Sequence, residues 1–130
     1  MIVDSSALVA ILLKEPEALQ FTTAIAGRPL CRLAAPCLLE VSMLILGRLG
    51  EDGLRDLDLY LARSRMEIMP FTESQAGLAR EAFRRYGKGR HPANLNFGDC
   101  MAYALAKETG DELLFKGTGF GQTDIVAAAY

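Results

Sequence analysis

The sequence predicts an α/β fold in which a central, mostly parallel sheet is flanked by helices. Short apolar segments with strand character alternate with longer helical segments along the chain, and this alternation is typical of a parallel sheet. Glycine and proline separate the segments, and no repeat, low-complexity stretch or linker lies between them. A chain of 130 residues is long enough to bury one core, so we expect a single domain over residues 1–130.

Four strands and six helices are expected. In chain order, the predicted strands are residues 1–3, 30–34, 66–71 and 112–116. The predicted helices are residues 5–13, 15–26, 36–49, 51–64, 73–86 and 97–109.

The first half of the chain shows clear helix boundaries. Pro16 lies between two glutamates and opens the second helix, because proline loses no needed hydrogen bond in a first turn and acids suit the positive end of the helix dipole. Gly27-Arg28-Pro29 ends that helix. Pro36 opens the third helix and Gly50 closes it, after which residues 51–64 form a more amphipathic helix.

The second half continues the alternation. Thr72-Glu73-Ser74-Gln75 has the pattern of a capping box, in which the Thr72 hydroxyl bonds the backbone N–H of Gln75 and the glutamine side chain reaches back. Residues 87–96 form a polar loop, and residues 97–109 a helix of mostly small side chains. Gly110-Asp111 then turns into the last strand.

Three acidic residues interrupt otherwise apolar segments. Asp4 follows the first strand, Glu40 lies in the third helix and Asp99 lies in the first turn of the last helix. Open α/β folds keep their chemistry at the carboxyl edge of the sheet. Carboxylates in apolar surroundings repel one another and are costly unless a cation joins them. We therefore predict a divalent-cation site in which Asp4 and Asp99 are ligands and Glu40 acts through water. The alternative for Asp4 or Asp99 alone is a capping role at a helix N-terminus.

A basic segment contrasts with the formal net charge of −2. That charge argues against general nucleic-acid coating, because affinity for phosphates comes from basic groups that displace counterions. Between residues 80 and 91, however, Glu81 is the only acid. We predict that this segment contacts a phosphate-bearing partner through Arg84, Arg85, Lys88 and Arg90, with a solvated helix face as the alternative.

The cysteines and the hydropathy pattern bear on the cellular compartment. Cys31, Cys37 and Cys100 are odd in number and form no C-x-x-C pair, which favours buried thiols in a reducing compartment. The chain does not start with a signal-peptide pattern, and its longest apolar stretch is too short to span a bilayer. We therefore expect a cytoplasmic protein with no membrane partner.

Several motifs occur in an order that is shared with a known family. They are M-I-V-D-S-S at residues 1–6, Glu40 in the third helix, Y-G-K-G-R-H-P-A at 86–93, L-N-F-G-D-C at 95–100 and L-L-F-K-G at 113–117, followed by Phe120 and T-D-I at 123–125. With these motifs the sequence resembles PIN-domain ribonucleases of the VapC toxin family over essentially the whole chain.

The resemblance implies a PIN-like domain with endoribonuclease activity that depends on Mg²⁺ or Mn²⁺. It also implies a homodimeric toxin and a VapB-type antitoxin that blocks the site and brings the complex to operator DNA, so that contact with DNA is only indirect. By motif, Asp4 and Asp99 correspond to metal ligands and Glu40 to the third acid of the catalytic site. The four basic residues named above would then hold RNA phosphates.

The chain departs from the family pattern at one position. Family members usually carry an acid just before the phenylalanine of the K-G-x-D-F segment, where this chain has Gly119. Asp124 is a candidate accessory acid, with ordering of the turn after Phe120 as its alternative. We expect at most one well-bound metal, with slow cleavage or a preference for Mn²⁺, and a gain in activity or metal affinity from aspartate at position 119 unless the backbone needs a glycine there.

Two other functions fit parts of the pattern. One is a weakened PIN module that acts by binding RNA or antitoxin. The other is a phosphatase with Asp4 as nucleophile, which is disfavoured because the common D-x-D arrangement requires an acid at Ser6. His91, the only histidine, is interpreted as a loop residue rather than a catalytic one.

Overall fold

A four-stranded parallel sheet forms the centre of the computed structural model, which describes all 130 residues. Its strands are β1 (Ile2–Val3), β2 (Arg32–Ala34), β3 (Glu67–Met69) and β4 (Leu113–Leu114). The strand order is β3-β2-β1-β4, and Ile2 lies opposite Arg32 on one side and Leu113 on the other. The predicted α/β fold with a parallel sheet is therefore confirmed.

Five helices flank the sheet. They are α1 (Ser5–Leu12), α2 (Ala18–Ala26), α3 (Ala35–Ser64), α4 (Glu73–Tyr86) and α5 (Phe97–Thr109), and a 3₁₀ turn follows at Phe120–Gln122. Gly50 separates two helical segments within α3, as predicted. Gly50 breaks the helical geometry with φ 67° and ψ −159°, but the chain resumes the helix at once and α3 continues to Ser64. Glycine permits this local break because it has no Cβ to clash at positive φ.

None of the helices combines the length and the apolar character that crossing a membrane requires.

Helix α5 passes through the middle of the core. Every residue from Cys100 to Ala106 is buried, and both residues of β1 and of β4 are completely buried beside it. Strands covered on both faces are typical of parallel sheets. The three cysteines are buried and unpaired, as predicted.

The caps of the last two helices differ in completeness. The Thr72 hydroxyl accepts the Gln75 N–H at 3.2 Å, as predicted, but the Gln75 side chain does not reach back. It is buried and its Nε2 donates to Glu108 Oε2 at 2.6 Å. A complete capping box occurs instead at α5, between Asn96 and Asp99.

The chain reverses its direction across the sheet next to β1. It runs from β1 outward to β2 and β3, and then returns to place β4 on the other side of β1. In open α/β sheets, a crevice forms outside the carboxyl ends of the strands at such a switch point. Residues that directly follow β1 and β4 are therefore placed at a natural binding cleft.

Candidate active site

A cleft of about 350 Å³ lies at the carboxyl end of β1. Its lining is mostly polar and consists of Asp4, Ser5, Ser6, Val9, Glu15, Glu40, Leu44, Asn96, Asp99 and Lys116. The three acids singled out in the sequence thus lie at one place, although they come from the start of α1, the second turn of α3 and the first turn of α5.

Asp4 is the most deeply buried of the three acids, with 1% of its surface exposed. It caps α1, and its Oδ2 accepts the Ser6 N–H at 3.0 Å and the Ser6 hydroxyl at 2.5 Å. Its Oδ1 has no hydrogen-bond partner. Burial raises the pKa of Asp4 to about 6, the charges of Asp99 and Glu40 add to the rise, and the two bonds from Ser6 oppose it.

Glu40 is held between two neighbouring elements. Its Oε2 accepts the Ser5 hydroxyl at 2.6 Å. Its carboxylate also packs against Gly98 in the first turn of α5, where a Cβ would overlap both carboxylate oxygens. The glycine before Asp99 therefore makes room for Glu40 to approach the third acid.

Asp99 has a helix-capping role in addition to its place in the cleft. Its Oδ2 accepts the Asn96 N–H at 2.7 Å, and its own N–H donates to Asn96 Oδ1 at 2.9 Å. Burial and the nearby charge of Glu40 raise the pKa of Asp99, whereas the Asn96 bond lowers it. The capping alternative considered for this residue is therefore real, and it leaves one carboxylate oxygen for another partner.

The donor set fits a hard divalent cation. The side chains do not form a ready cage of three ligands, but Mg²⁺ keeps several waters and uses only one or two carboxylates directly. Asp4 Oδ1 is a buried acceptor without a donor, and buried oxygens of this kind are rare unless water or an ion joins them. Asp4 and Asp99 are the residues that would hold such an ion.

The sequence interpretation missed Lys116 and Glu15 as cleft residues. The Lys116 ammonium lies 2.7 Å from Glu15 Oε2 and 2.9 Å from Glu17 Oε2. Hydrogen bonds to Glu15 and then Glu17 raise the pKa of Lys116, so it remains a cation. In the sequence, the two glutamates were explained by a helix dipole alone, and nothing in the linear pattern pairs them with a lysine about 100 residues away.

The accessory role predicted for Asp124 does not agree with its position. The residue is exposed and does not line the acidic cleft. Its Oδ1 accepts the Tyr103 hydroxyl at 2.7 Å, and its Oδ2 accepts the Lys107 ammonium at 3.2 Å. Partial burial raises the pKa of Asp124, but these two bonds lower it by more, so the pKa lies below its usual value. The alternative, a role in ordering the chain after Phe120, agrees with these contacts.

Two of the four cations of the basic segment are paired with carboxylates, and the other two are not. Arg84 bonds Glu81 at 2.9 Å, and Arg85 lies 3.5 Å from Asp124. Lys88 forms no ion pair, and the Arg90 guanidinium lies over the Phe83 ring. All four cations are exposed and none lines the cleft.

Gly119 lies in a crowded position rather than an unusual backbone conformation. Its φ of −59° is accessible to any residue, but a Cβ there would lie 2.7 Å from the Ala93 carbonyl oxygen. We therefore expect Gly119→Asp to destabilise the protein by about 1–3 kcal/mol, as overpacking does, and not to raise its activity. Thermal unfolding and RNA cleavage would measure both effects.

Gly121→Asp provides a control for that variant, because a Cβ at position 121 meets nothing within 4 Å. A stable Gly119→Asp protein with tighter metal binding or faster cleavage would contradict the steric argument. It would instead show that the missing acid limits the site.

The chain is similar to known proteins both in sequence and in fold. The PIN domain family matches residues 1–126. The chain is 49% identical over 127 residues to a ribonuclease VapC from Mycolicibacterium smegmatis, covering 98% of each chain. Among solved structures, VapC20 of Mycobacterium tuberculosis, described as a toxin that cleaves the sarcin–ricin loop, aligns with a TM-score of 0.78 at 16% identity, over 96% of this chain and 95% of that one. A toxin–antitoxin complex from Klebsiella pneumoniae aligns with a TM-score of 0.73 at 20% identity, over 99% and 97% of the respective chains.

Proposed function

Since the chain belongs to the PIN-domain family, and within it to the VapC ribonucleases, we propose that it is an endoribonuclease toxin that depends on Mg²⁺ or Mn²⁺. The observation that carries the metal dependence is the convergence of Asp4, Glu40 and Asp99 in one cleft, with Asp4 Oδ1 left without a donor. Burial raises the pKa of Asp4, and repulsion from the charges of Asp99 and Glu40 adds to the rise. A cation among the three carboxylates would relieve this repulsion.

Each residue of the cleft has a distinct part in this proposal. Asp4 and Asp99 would hold the ion, which would supply charge stabilisation for the phosphodiester and an activated water. Glu40 has its Oε2 fixed by the Ser5 hydroxyl, so its other oxygen is available to accept a hydrogen bond from a water that enters the cleft and to orient that water. Ser6 fixes Asp4 through two hydrogen bonds.

Incubation of the purified protein with total RNA tests the proposal. We expect discrete cleavage products with Mg²⁺ or Mn²⁺, and none when a chelator is added. Products that persist in chelator would contradict metal dependence. Binding without any cleavage would favour the alternative of a weakened PIN module that acts by holding RNA or antitoxin.

The partners follow from the same proposal. A VapB-type antitoxin and a second toxin chain are the proposed partners. Contiguous exposed apolar side chains mark interaction sites, and those of Leu39, Met43 and Phe97 are between 62% and 78% exposed beside the cleft. An amphipathic antitoxin helix is one form of partner that such a surface can bind. Contact with operator DNA would come through the antitoxin, and cleavage of cellular RNA would take place in the cytoplasm.

The basic segment is proposed to add RNA affinity, chiefly through Lys88 and Arg90, because these two are not neutralised by a carboxylate. We expect the double variant Lys88→Ala/Arg90→Ala to bind RNA more weakly. The slope of log affinity against log salt is negative, and its magnitude should decrease by about 1.4, or about 0.7 for each lost single-strand phosphate contact. Fluorescence anisotropy over a range of salt concentrations measures this slope.

A control for that variant removes the same charge elsewhere. Arg48 and Arg63 are exposed residues of α3 outside the segment, and their double alanine variant should keep the wild-type slope. Equal slopes for both double variants would mean that the basic segment is only a solvated surface.

A further inference from the structure

Lys116 is the only basic residue that lines the acidic cleft. It follows β4, on the opposite side of β1 from the strand that leads into Glu40. A lone cation in a cleft with four carboxylates requires an explanation that the metal site does not supply.

The position of Lys116 is fixed relative to Asp4. The Lys116 backbone N–H donates to the Ser6 hydroxyl oxygen at 2.9 Å, and that hydroxyl in turn donates to Asp4 Oδ2. The end of β4 is thus joined to a predicted metal ligand through one side chain. This chain of hydrogen bonds fixes the Lys116 backbone, whereas its ammonium is held by Glu15 and Glu17.

The Lys116 ammonium is held at the cleft, but not all of its hydrogen-bond donors are paired. An ammonium has three N–H donors, and the structure commits two of them, to Glu15 and Glu17. The side chain remains 35% exposed. One donor is therefore free to meet an acceptor that enters the cleft from solvent.

The charges indicate which acceptor it is. Asp4, Glu40 and Asp99 together exceed the charge of one divalent ion, and an entering phosphodiester adds a further negative charge. Glu15 and Glu17 offset part of the Lys116 charge, but both pairs are about one-third exposed and are screened by solvent. The ammonium is still the only basic group of the cleft that can meet the phosphate, and lysine is a common point-charge ligand for phosphate.

We propose that Lys116 binds a non-bridging oxygen of the RNA phosphodiester in the cleft and stabilises the charge that develops on it, with Glu15 and Glu17 holding the ammonium in place. This inference rests on the proposed ribonuclease function and adds a substrate-binding residue to it. The four cations of the basic segment cannot take this role, because none of them lines the cleft.

Lys116→Met tests the proposal, and Lys107→Met is its matched control. Lys107 is also ion-paired and has a side-chain exposure of 36%, close to that of Lys116, but it bonds Asp124 away from the cleft. We expect Lys116→Met to lose about 10²-fold in kcat/KM, as the loss of one donor to a developing oxyanion does. The slope of log RNA affinity against log salt, measured with Ca²⁺ to limit turnover, should decrease in magnitude by about 0.7.

Two further measurements separate phosphate binding from a purely structural clamp. Mn²⁺ affinity, measured by calorimetry, should be unchanged or tighter in Lys116→Met, because the variant keeps all the acids and removes a positive charge. Glu17→Gln removes a carboxylate charge from the clamp but leaves the Lys116 cation and an amide oxygen that can accept from it, so its RNA affinity should depend on salt at least as steeply as that of the wild-type protein. If Lys116→Met does not fold, Lys116→Gln keeps a donor for the glutamates and provides the same comparison.

Wild-type cleavage and an unchanged salt slope in Lys116→Met would overturn the proposal. So would an equally weakened salt dependence in Glu17→Gln, which keeps the cation, or a loss of Mn²⁺ binding in Lys116→Met, because either result would make the lysine a structural clamp. Failure of the wild-type protein to cut RNA under any metal condition is a separate result, since it would overturn the ribonuclease function itself.

Discussion

Replacing Asp99 by asparagine is expected to lower the rate of metal-dependent RNA cleavage by more than about 100-fold, because even outer residues of metal sites typically cost 10–100-fold when they are removed. The protein should remain folded. An asparagine oxygen can accept the same Asn96 N–H, and the backbone bond back to Asn96 does not involve the side chain. The change therefore removes a charge while the cap of α5 stays in place.

Asp58→Asn is the matched control, because Asp58 is an exposed acid of α3 without an ion pair. It should cleave RNA like the wild-type protein. Near-normal cleavage by a folded Asp99→Asn preparation, shown to be free of contaminating nuclease, would remove Asp99 from the proposed metal site.

Asp4→Asn is expected to stabilise the metal-free protein at neutral pH. Burial raises the pKa of Asp4 from 3.8 to about 6, so the folded protein binds this proton more tightly than the unfolded chain does. Each tenfold change in proton affinity is worth about 1.4 kcal/mol. The ionised side chain therefore costs the fold up to about 3 kcal/mol at pH 7. The asparagine oxygen can keep both bonds from Ser6, but its amide group would replace the buried, unpartnered Oδ1, so we expect Asp4→Asn to recover about 1–2 kcal/mol.

The stabilisation by Asp4→Asn should increase with pH. Below pH 3.8 the carboxyl is protonated in both the folded and the unfolded chain, and the penalty is absent. It develops as the pH rises towards about 6 and is then constant. The difference in unfolding free energy between Asp4→Asn and the wild-type protein should accordingly grow between pH 4 and pH 6 in chemical denaturation with chelator present. A difference that does not change with pH would contradict the raised pKa of Asp4.

Local patterns were sufficient to predict most of the fold. Apolar strands, proline at the start of helices and the Thr72 cap are properties of neighbouring residues, and the corresponding elements occur at nearly the predicted places. The acids of the cleft could be found because each one interrupts an apolar segment. A carboxylate in such a segment is costly enough to mark a special position even without knowledge of its neighbours.

The remaining features depend on contacts between distant parts of the chain. Gln75 has the sequence of a capping residue, but tertiary packing turns its side chain inwards to Glu108. Asp124 shares a motif with the family, yet Tyr103 and Lys107 hold it away from the cleft. The obstacle at Gly119 is a carbonyl oxygen of a different loop. No local pattern contains this information.

Mn²⁺ binding to the purified protein, followed by calorimetry, tests most directly whether the acids of the cleft form a metal site. We expect one ion per wild-type chain, because no acid occupies position 119, and a loss of this binding in both Asp4→Asn and Asp99→Asn. The Asp58→Asn control should bind like the wild-type protein. Unchanged Mn²⁺ binding in the two cleft variants would contradict the account, because the ion would then be held elsewhere.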